Sequence, residues 1–175
     1  GDVIGTIINE NAQAVEGAII MLGNQMTTTD EYGNFYFNNE SLNALGTLIK
    51  VEKDGFFNGS RKFYPIANQK NRVQVQLLEK EFTQSFESST GGSINLAGAQ
   101  IQFDPAGIKL EDGSIYNGTV QVAAKWLDPS LASTLDQMPG NLVGVNAQVE
   151  EVALGSYGMM AVELEGSNGE ILNIA

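Results

Sequence analysis

Carboxylates are the only catalytic groups that this sequence supplies in number. The 175 residues include 21 aspartates and glutamates but no histidine and no cysteine. Ser-His-Asp and Cys-His nucleophilic sites are therefore excluded, as are zinc sites with thiolate or imidazole ligands. Two carboxylates can act together as acid and base or nucleophile in glycoside hydrolysis. The candidate pairs are Asp104 with Asp112 and Glu150 with Glu151.

A structural role for these acids competes with the catalytic one. Asp104, Asp112 and Asp128 each occur in an Asp-Pro or Asp-Gly turn, where the side chain binds nearby backbone amides. Pairs of acids also arise by chance in a chain with so many of them. We therefore predict that the chain is not an enzyme, and a carboxylate-dependent enzyme is the third choice of function.

Calcium is the one metal that the composition leaves open, because its ligands are hard oxygens. However, the sequence lacks an Asp-x-Asp-x-Asp-Gly loop, and the Asp30–Asn34 turn supplies too few ligands by itself. We predict no cofactor, with calcium as a minor alternative.

Aromatic residues suggest a ligand or interface patch. Phe56 and Phe57 are adjacent, so in a strand their side chains point to opposite faces, and one of them can reach a surface with Tyr64 or Tyr157. Such a patch would favour a carbohydrate-binding module, which is the alternative function. Trp126 alternates with the apolar residues before it and is predicted to belong to the core.

The net charge of −12 is unevenly distributed. Residues 1–80 contain seven basic and nine acidic residues, whereas residues 81–175 contain two basic and twelve acidic ones. An acidic surface argues against nucleic acid and anionic membranes as partners. The Arg61-Lys62 pair is interpreted as part of a solvated loop. No stretch approaches the ~20 apolar residues of a membrane-spanning helix, so we predict no membrane insertion of this segment.

The first 80 residues read as short strands separated by turns. The clearest hairpin runs from Thr27 to Phe37: Asp30 can bind backbone amides in the turn, and Gly33 can adopt positive φ. Phe35 and Phe37 then point to one face. About seven such strands, with a turn signal every 8–12 residues, are typical of a β-sandwich.

The order of motifs in this region resembles a known family. The motifs are Gly5, Val15-x-Gly17-Ala18-x-Ile20, Thr29-Asp30-x-x-Gly33-x-Phe35-x-Phe37 and Ile49-x-Val51-x-Lys53-x-Gly55-Phe56. Residues 2–80 resemble the carboxypeptidase regulatory-like, or transthyretin-like, domain. The resemblance implies a seven-stranded accessory module of secreted or surface proteins without catalytic residues of its own.

The remainder is predicted to be a linker followed by a second domain. Residues 81–92 are polar, end in Ser, Thr and Gly, and suit a linker or crossing segment. Residues 93–175 show further strand signals and one short helix beginning near Asp128. This region resembles, more distantly, a ZU5-like extracellular β-sandwich. Some ZU5-like domains cleave themselves at a His-Phe-Ser site, an activity that a chain without histidine does not inherit.

Together these observations predict an all-β protein of two tandem β-sandwich domains, 1–80 and 93–175. The predicted function is a non-catalytic accessory, structural or adhesion-type segment of a larger exported or cell-surface protein, and the resemblance implies a bacterial one. Its expected partners are neighbouring domains of the same polypeptide, with another protein or a glycan as further partners. The expected location, extracellular, cell-surface or periplasmic, follows from the resemblance.

Overall fold

The protein is built almost entirely from β-strands, as the sequence predicts. The computed structural model describes residues 1–97, 99–131, 133–138, 143–155 and 158–174. The chain packs into two compact units, each made of two segments. Unit 1 comprises Gly1–Glu79 and Pro129–Tyr157, and unit 2 comprises Lys80–Asp128 and Gly158–Ala175.

The elements follow one another in chain order. The first segment of unit 1 contains β1 Asp2–Ile8, β2 Ile19–Leu22, β3 Gln25–Thr28, β4 Asn34–Phe37, β5 Thr47–Glu52, β6 Gly59–Phe63 and β7 Lys70–Gln76. The first segment of unit 2 contains β8 Phe82–Glu87, β9 Gly92–Leu96, β10 Ala99–Phe103, β11 Ile108–Leu110 and β12 Thr119–Leu127. There follow α1 Thr134–Gln137, β13 Val143–Val145 and β14 Glu151–Ala153 in unit 1, then β15 Met159–Gly166 and β16 Ile171–Ile174 in unit 2.

Unit 1 is a β-sandwich of seven strands with an additional segment. A three-stranded sheet in the order β4-β1-β7 faces a four-stranded sheet in the order β3-β2-β5-β6. Alternating residues of both sheets meet in one core, as in β5, where Ile49 and Val51 are fully buried and their neighbours are exposed. Each such side chain contributes about 1.5–3 kcal/mol by leaving water.

Gly5 allows the aromatic part of this core to pack against β1. Phe35 lies opposite Gly5 in the β1–β4 register, and a Cβ atom at Gly5 would collide with the Phe35 ring and the Val73 carbonyl oxygen. Phe35 also packs edge-on against Phe37, with ring centroids 6.1 Å apart. The missing side chain of Gly5 therefore provides the space that Phe35 fills.

Unit 2 is assembled around a five-stranded sheet in the order β11-β16-β15-β12-β8 and the β9-β10 hairpin. Residues from both sheets form its core, including the fully buried Val120 of β12 and the buried Ile94 of β9.

Here the structure corrects the expected linker at 81–92. Residues 82–87 form β8, which pairs antiparallel with β12, and Phe86 stacks on Phe103 with ring centroids 4.8 Å apart. Polar residues at alternate positions gave this strand the composition of a loop.

Residues 129–157 belong to unit 1, which differs from the predicted domain boundaries of 93–175. They return to unit 1, where α1 lies against β7 and β13 forms an antiparallel hairpin with β14. The predicted helix is shorter than its sequence signal, because its four residues begin after Ser133 and not near Asp128. The sequence predicts that Pro139 and Gly140 end this helix, and both lie outside the described residues.

The turn glycines provide a test of the local packing. Gly33 and Gly23 have φ of 73° and 58°, so alanine at either position is strained by about 1–2 kcal/mol. A Cβ atom at Gly33 would also collide with the Ile7 carbonyl oxygen, whereas one at Gly23 would have nothing within 4 Å. We expect Gly33→Ala to lower the free energy of unfolding by roughly 1–2 kcal/mol more than Gly23→Ala. Chemical denaturation measures both, and equal losses would contradict the proposed packing.

Candidate functional site

Strand β6 carries the two basic residues that lie closest together in the sequence. Arg61 is paired with Ile49 of β5 and lies on the face of the sheet that carries the core, whereas Lys62 is paired with Leu48 and lies on the outer face. The prediction that Arg61 and Lys62 belong to a solvated loop is wrong. Both are strand residues with defined partners in the second segment of unit 1.

Lys62, Tyr64 and Glu151 form a group that we call the β6 cluster. The Lys62 Nζ atom lies 3.0 Å from Glu151 Oε1 and donates to it, while the Tyr64 hydroxyl donates to Glu151 Oε2 at 2.9 Å. The same ammonium lies 5.1 Å from the centroid of the Tyr64 ring, within the range of a cation–π contact. The two oxygens of the Glu151 carboxylate thus bind two side chains at the C-terminal end of β6.

The electrostatics of the β6 cluster favour fixed charges over proton transfer. The hydrogen bond from Lys62, followed by that from Tyr64, lowers the pKa of the Glu151 carboxyl. The bond to Glu151 raises the pKa of the Lys62 ammonium. Both groups consequently remain charged around neutrality, whereas an efficient general acid or base needs a pKa near the operating pH. The arrangement can hold two segments together or present a polar surface.

The side chain of Arg61 binds backbone carbonyl oxygens of the helical segment. Its Nη1 atom donates to the Leu135 carbonyl oxygen at 3.0 Å, and its Nη2 atom donates to the Asp136 carbonyl oxygen at 2.7 Å. The Asp136 carboxylate is more distant, at 4.0 Å from Nη2. The planar guanidinium suits this two-point donation to neighbouring carbonyls. Arg61 therefore attaches α1 to the sandwich.

The predicted aromatic patch is only partly assembled on the surface. Phe57 is buried, with 7% of its surface exposed, and its amide donates to the Leu78 carbonyl oxygen. Phe56 is half-buried and packs against the core of unit 1. Tyr64 is 46% exposed and belongs to the β6 cluster. Tyr157 lies outside the described residues.

Trp126 is half-buried at the end of β12 and is absent from the main core of unit 2. Gly158 packs closely against its indole, since a Cβ atom there would collide with the ring. Tyr116 is more deeply buried, and its hydroxyl donates to the Thr119 carbonyl oxygen at 3.2 Å. Tyr116 therefore belongs to the core of unit 2, whereas the prediction that Trp126 belongs to the core is wrong.

The turn that contains Asp30 and Gly33 uses its carboxylate locally. Asp30 Oδ1 accepts the amide hydrogens of Tyr32 at 2.9 Å and Asn34 at 2.7 Å. The bond from the Asn34 amide is the main cause of the lowered pKa of Asp30. With a further contact from the Asn34 side chain to Oδ2 at 3.4 Å, the Asp30 oxygens serve the turn.

The other acidic candidates have similar local roles. Asp112 accepts the hydroxyl of Ser114 at 2.6 Å and its amide at 2.9 Å, which lowers the pKa of Asp112. Glu150 accepts a side-chain bond from Asn146 at 3.1 Å, whereas Glu151 belongs to the β6 cluster. The adjacent carboxylates of Glu150 and Glu151 thus bind different partners. Among the described residues, no three carboxylates, cysteines or histidines converge on a point that could hold a metal ion.

A surface cleft of about 710 Å³ lies at one end of the first sandwich. Its lining includes Leu42, Ile66 and Lys70. Asp2 also lines the cleft, and its Oδ1 atom accepts the backbone amide of Asn39 at 3.0 Å. The cleft is a mixture of apolar and polar groups in which Asp2 fixes a loop.

Sequence reasoning missed the partners of β6. From the sequence, Glu151 is a candidate only as the partner of Glu150 in a pair of acids. The Arg61 side chain binds backbone carbonyl oxygens, which every residue carries. The paired residues are separated by 89 positions for Lys62 and Glu151. Neither periodicity nor turn chemistry reports a contact over that separation. The excess of acids after residue 80 is the one available signal, because it offers partners for the basic residues before it.

No family model matches the sequence, and a search of curated proteins found no relative. Solved structures give matches at low identity. A Streptococcal ancillary pilin is 9% identical at a TM-score of 0.36, with 99% of this chain and 49% of that chain covered. The Bacillus anthracis TIE protein is 11% identical at a TM-score of 0.39, with 95% of this chain and 44% of that chain covered. A shaft pilin of Lactobacillus rhamnosus GG is 12% identical at a TM-score of 0.30, with 98% of this chain and 80% of that chain covered. The chain spans about half the length of the first two.

The Asp30 turn predicts a specific pH dependence. The native pKa of Asp30 is lowered from 3.8, so its stabilisation is present above that value and is lost as the pH falls through the native pKa. We expect wild type to be more stable than Asp30→Asn near neutrality and this difference to shrink in acid. Calorimetric melting temperatures of both proteins across the acid range measure the difference. A difference that stays constant with pH would contradict the charged turn.

Arg61 predicts a local change in protection of α1. Lysine cannot reproduce the two-point donation, so Arg61→Lys should accelerate hydrogen exchange at the amides of Gln137 and Met138, which bind Ser133 and Thr134 carbonyls. NMR measures this exchange for individual amides. Arg72→Lys, on the exposed side of β7, is the matched control and should leave the rates unchanged. Equal rates in both variants would show that Arg61 does not hold α1.

Proposed function

We propose that this chain is a non-catalytic accessory segment of a larger exported or cell-surface protein, with a structural or adhesion-type role. The observation that carries the proposal is the way its carboxylates are used. Asp30 and Asp112 bind the amides of their own turns, and Glu151 binds two side chains of unit 1. These three carboxylates are thus engaged in structural contacts, which supports a role that relies on the sandwich surfaces and not on chemistry.

The path of the chain supports a structural role. The polypeptide passes between the two units at Glu79–Lys80, Asp128–Pro129 and Tyr157–Gly158. Each unit consequently depends on two separate segments of sequence. The two units are thus joined by three covalent connections of the chain. Such a construction suits a segment that spaces or presents other domains of the same polypeptide.

The family assignment belongs to the same proposal. We propose that residues 2–80 are a carboxypeptidase regulatory-like domain, supported by the seven strands and by the places of the motif residues. Gly5 lies beneath Phe35, Gly33 has positive φ in the turn, and Phe37 is buried in the core. The ZU5-like assignment of the second domain is proposed for the strands of unit 2, with residues 129–157 placed in unit 1.

The described residues do not favour the carbohydrate-binding alternative. Phe57 is buried and Phe56 packs on the core, which leaves Tyr64 as the exposed aromatic side chain of the described patch. A flat or concave sugar-stacking platform generally needs more exposed aromatic surface than one ring. Protein partners and neighbouring domains therefore take precedence over glycans in this proposal. No helix in the described part of the chain has the length and apolar character to cross a bilayer.

Surface location can be tested with cysteine labelling, because these 175 residues contain no cysteine. Tyr32 is 67% exposed in a turn, whereas Ile20 is fully buried. In intact cells that make the parent protein, a membrane-impermeant maleimide should label Tyr32→Cys and spare Ile20→Cys. Labelling of Tyr32→Cys only after lysis would refute an extracellular or cell-surface location.

A glycan array tests the alternative function separately. We expect no glycan to be retained specifically by the chain. Specific retention that is lost in Tyr64→Ala, with the melting temperature unchanged, would contradict this expectation and favour a carbohydrate-binding module. Tyr32→Ala, which removes an exposed tyrosine elsewhere in unit 1, is the matched control.

A further inference from the structure

The first and last strands of the first sandwich are parallel neighbours. All seven residues of β1 pair in register with the seven residues of β7, from Asp2 opposite Lys70 to Ile8 opposite Gln76. Because parallel strands begin at the same end of a pair, the chain enters this pair at one end and leaves it at the other. Tension between Gly1 and Glu79 therefore pulls the two strands in opposite directions along their length.

This direction of pulling loads the hydrogen bonds of the pair together. In a sliding displacement every inter-strand bond is strained at once, whereas in a peeling displacement the bonds break one after another. β1 is held on its other side as well, by four paired residues of β4 and by the Ile7 amide, which donates to the Gly33 carbonyl oxygen at 2.8 Å. Sliding β1 would disrupt both sets of bonds.

Polar side chains reinforce both ends of the pair. At the entry, Asn71 Nδ2 donates to the Asp2 carbonyl oxygen at 3.2 Å. At the exit, Gln76 Nε2 donates to the Asn9 carbonyl oxygen at 3.0 Å, and the Asn9 side chain lies 3.4 Å from Glu79 Oε1. Asn9, Asn71 and Gln76 are each exposed by less than a tenth, so water competes poorly for these bonds.

The apolar side chains add resistance to sliding. Val3 and Ile7 of β1 and Val73 and Val75 of β7 are buried in the core that the two sheets share. Because protein interiors are close-packed, these side chains cannot move along the strand axis without displacing their neighbours. The pair is thus opposed to sliding by backbone bonds, by buried polar bonds and by core packing.

We infer that the β1–β7 pair is a shear clamp, which resists unfolding when tension is applied between the entry to β1 and the exit from β7. The inference deepens the proposed function and rests on it for its biological purpose, since a surface segment that holds a partner transmits force along its chain. The mechanical property itself is independent of where the protein is located.

Single-molecule force spectroscopy tests the clamp on the whole 175-residue chain. Two cysteines serve as handles in a sequence that otherwise has none. For sliding, one cysteine is added before Gly1 and the other is Glu81→Cys. For peeling, Asn11→Cys is combined with Glu81→Cys, which places both handles at the exit end of the pair. We expect the sliding geometry to need a several-fold higher unfolding force at the same pulling speed.

Substitutions on β7 identify the clamp as the source of this resistance. Gln76→Ala removes the bond to the Asn9 carbonyl oxygen and should lower the unfolding force in the sliding geometry. Gln74→Ala changes an exposed glutamine of the same strand and should leave the force unchanged. If Gln76→Ala does not fold, the two pulling geometries of the wild-type β1–β7 pair still decide the question.

Equal unfolding forces in the two geometries would overturn the clamp, and so would equal effects of the two glutamine substitutions. A high sliding force together with failed surface labelling would refute the proposed location and leave the clamp intact. Successful surface labelling together with equal unfolding forces would refute the clamp and leave the proposed location intact. The two hypotheses therefore fail by different measurements.

Discussion

The position of β1 between β4 and β7 is the constraint on which unit 1 depends. This strand pairs parallel on one side and antiparallel on the other, so its backbone groups are satisfied by two partners far apart in sequence. Its central residue must be small, because Gly5 lies beneath Phe35. The turn at Gly33 is held to the same strand because the Gly33 carbonyl oxygen accepts the amide hydrogen of Ile7. Core packing, the turn between β3 and β4 and the proposed mechanical resistance thus share one strand.

The strands of the first sandwich were predictable because their signal is local. In β5 and β7, apolar side chains alternate with polar ones that face water. The predicted hairpin from Thr27 to Phe37 is wrong, because β3 and β4 belong to different sheets, although Asp30 does form the turn between them. Two regions could not be read in this way. β8 has the polar composition of a linker, although Phe86 reaches the core of unit 2. The placement of residues 129–157 depends on contacts such as Arg61 with Leu135, which are 74 positions apart.

The acidic composition has a different meaning after the contacts are known. From sequence, 21 acids in a chain without histidine were the available material for catalysis. In the structure, Asp30, Asp112 and Glu170 have lowered pKa values because hydrogen bonds in their own turns favour the charged carboxylate. Glu151 is stabilised in its charged form by a basic side chain from the first segment of unit 1. The chain uses negative charge to fix turns and also long-range contacts, such as those of Glu151 with Lys62 and of Glu163 with Lys80.

The two-segment construction of unit 1 sets an order of folding during synthesis. The described apolar cluster that its two sheets share lies between Val3 and Leu77, so the residues of this cluster are synthesised before the second segment of the unit. Residues 129–157 follow after about 4–15 s at usual rates of translation. During that interval Arg61 lacks the carbonyl oxygens of α1, and Lys62 lacks Glu151. Until the first segment of unit 2 and then residues 129–157 have been made, β6 of the nascent protein therefore presents two basic side chains without these partners.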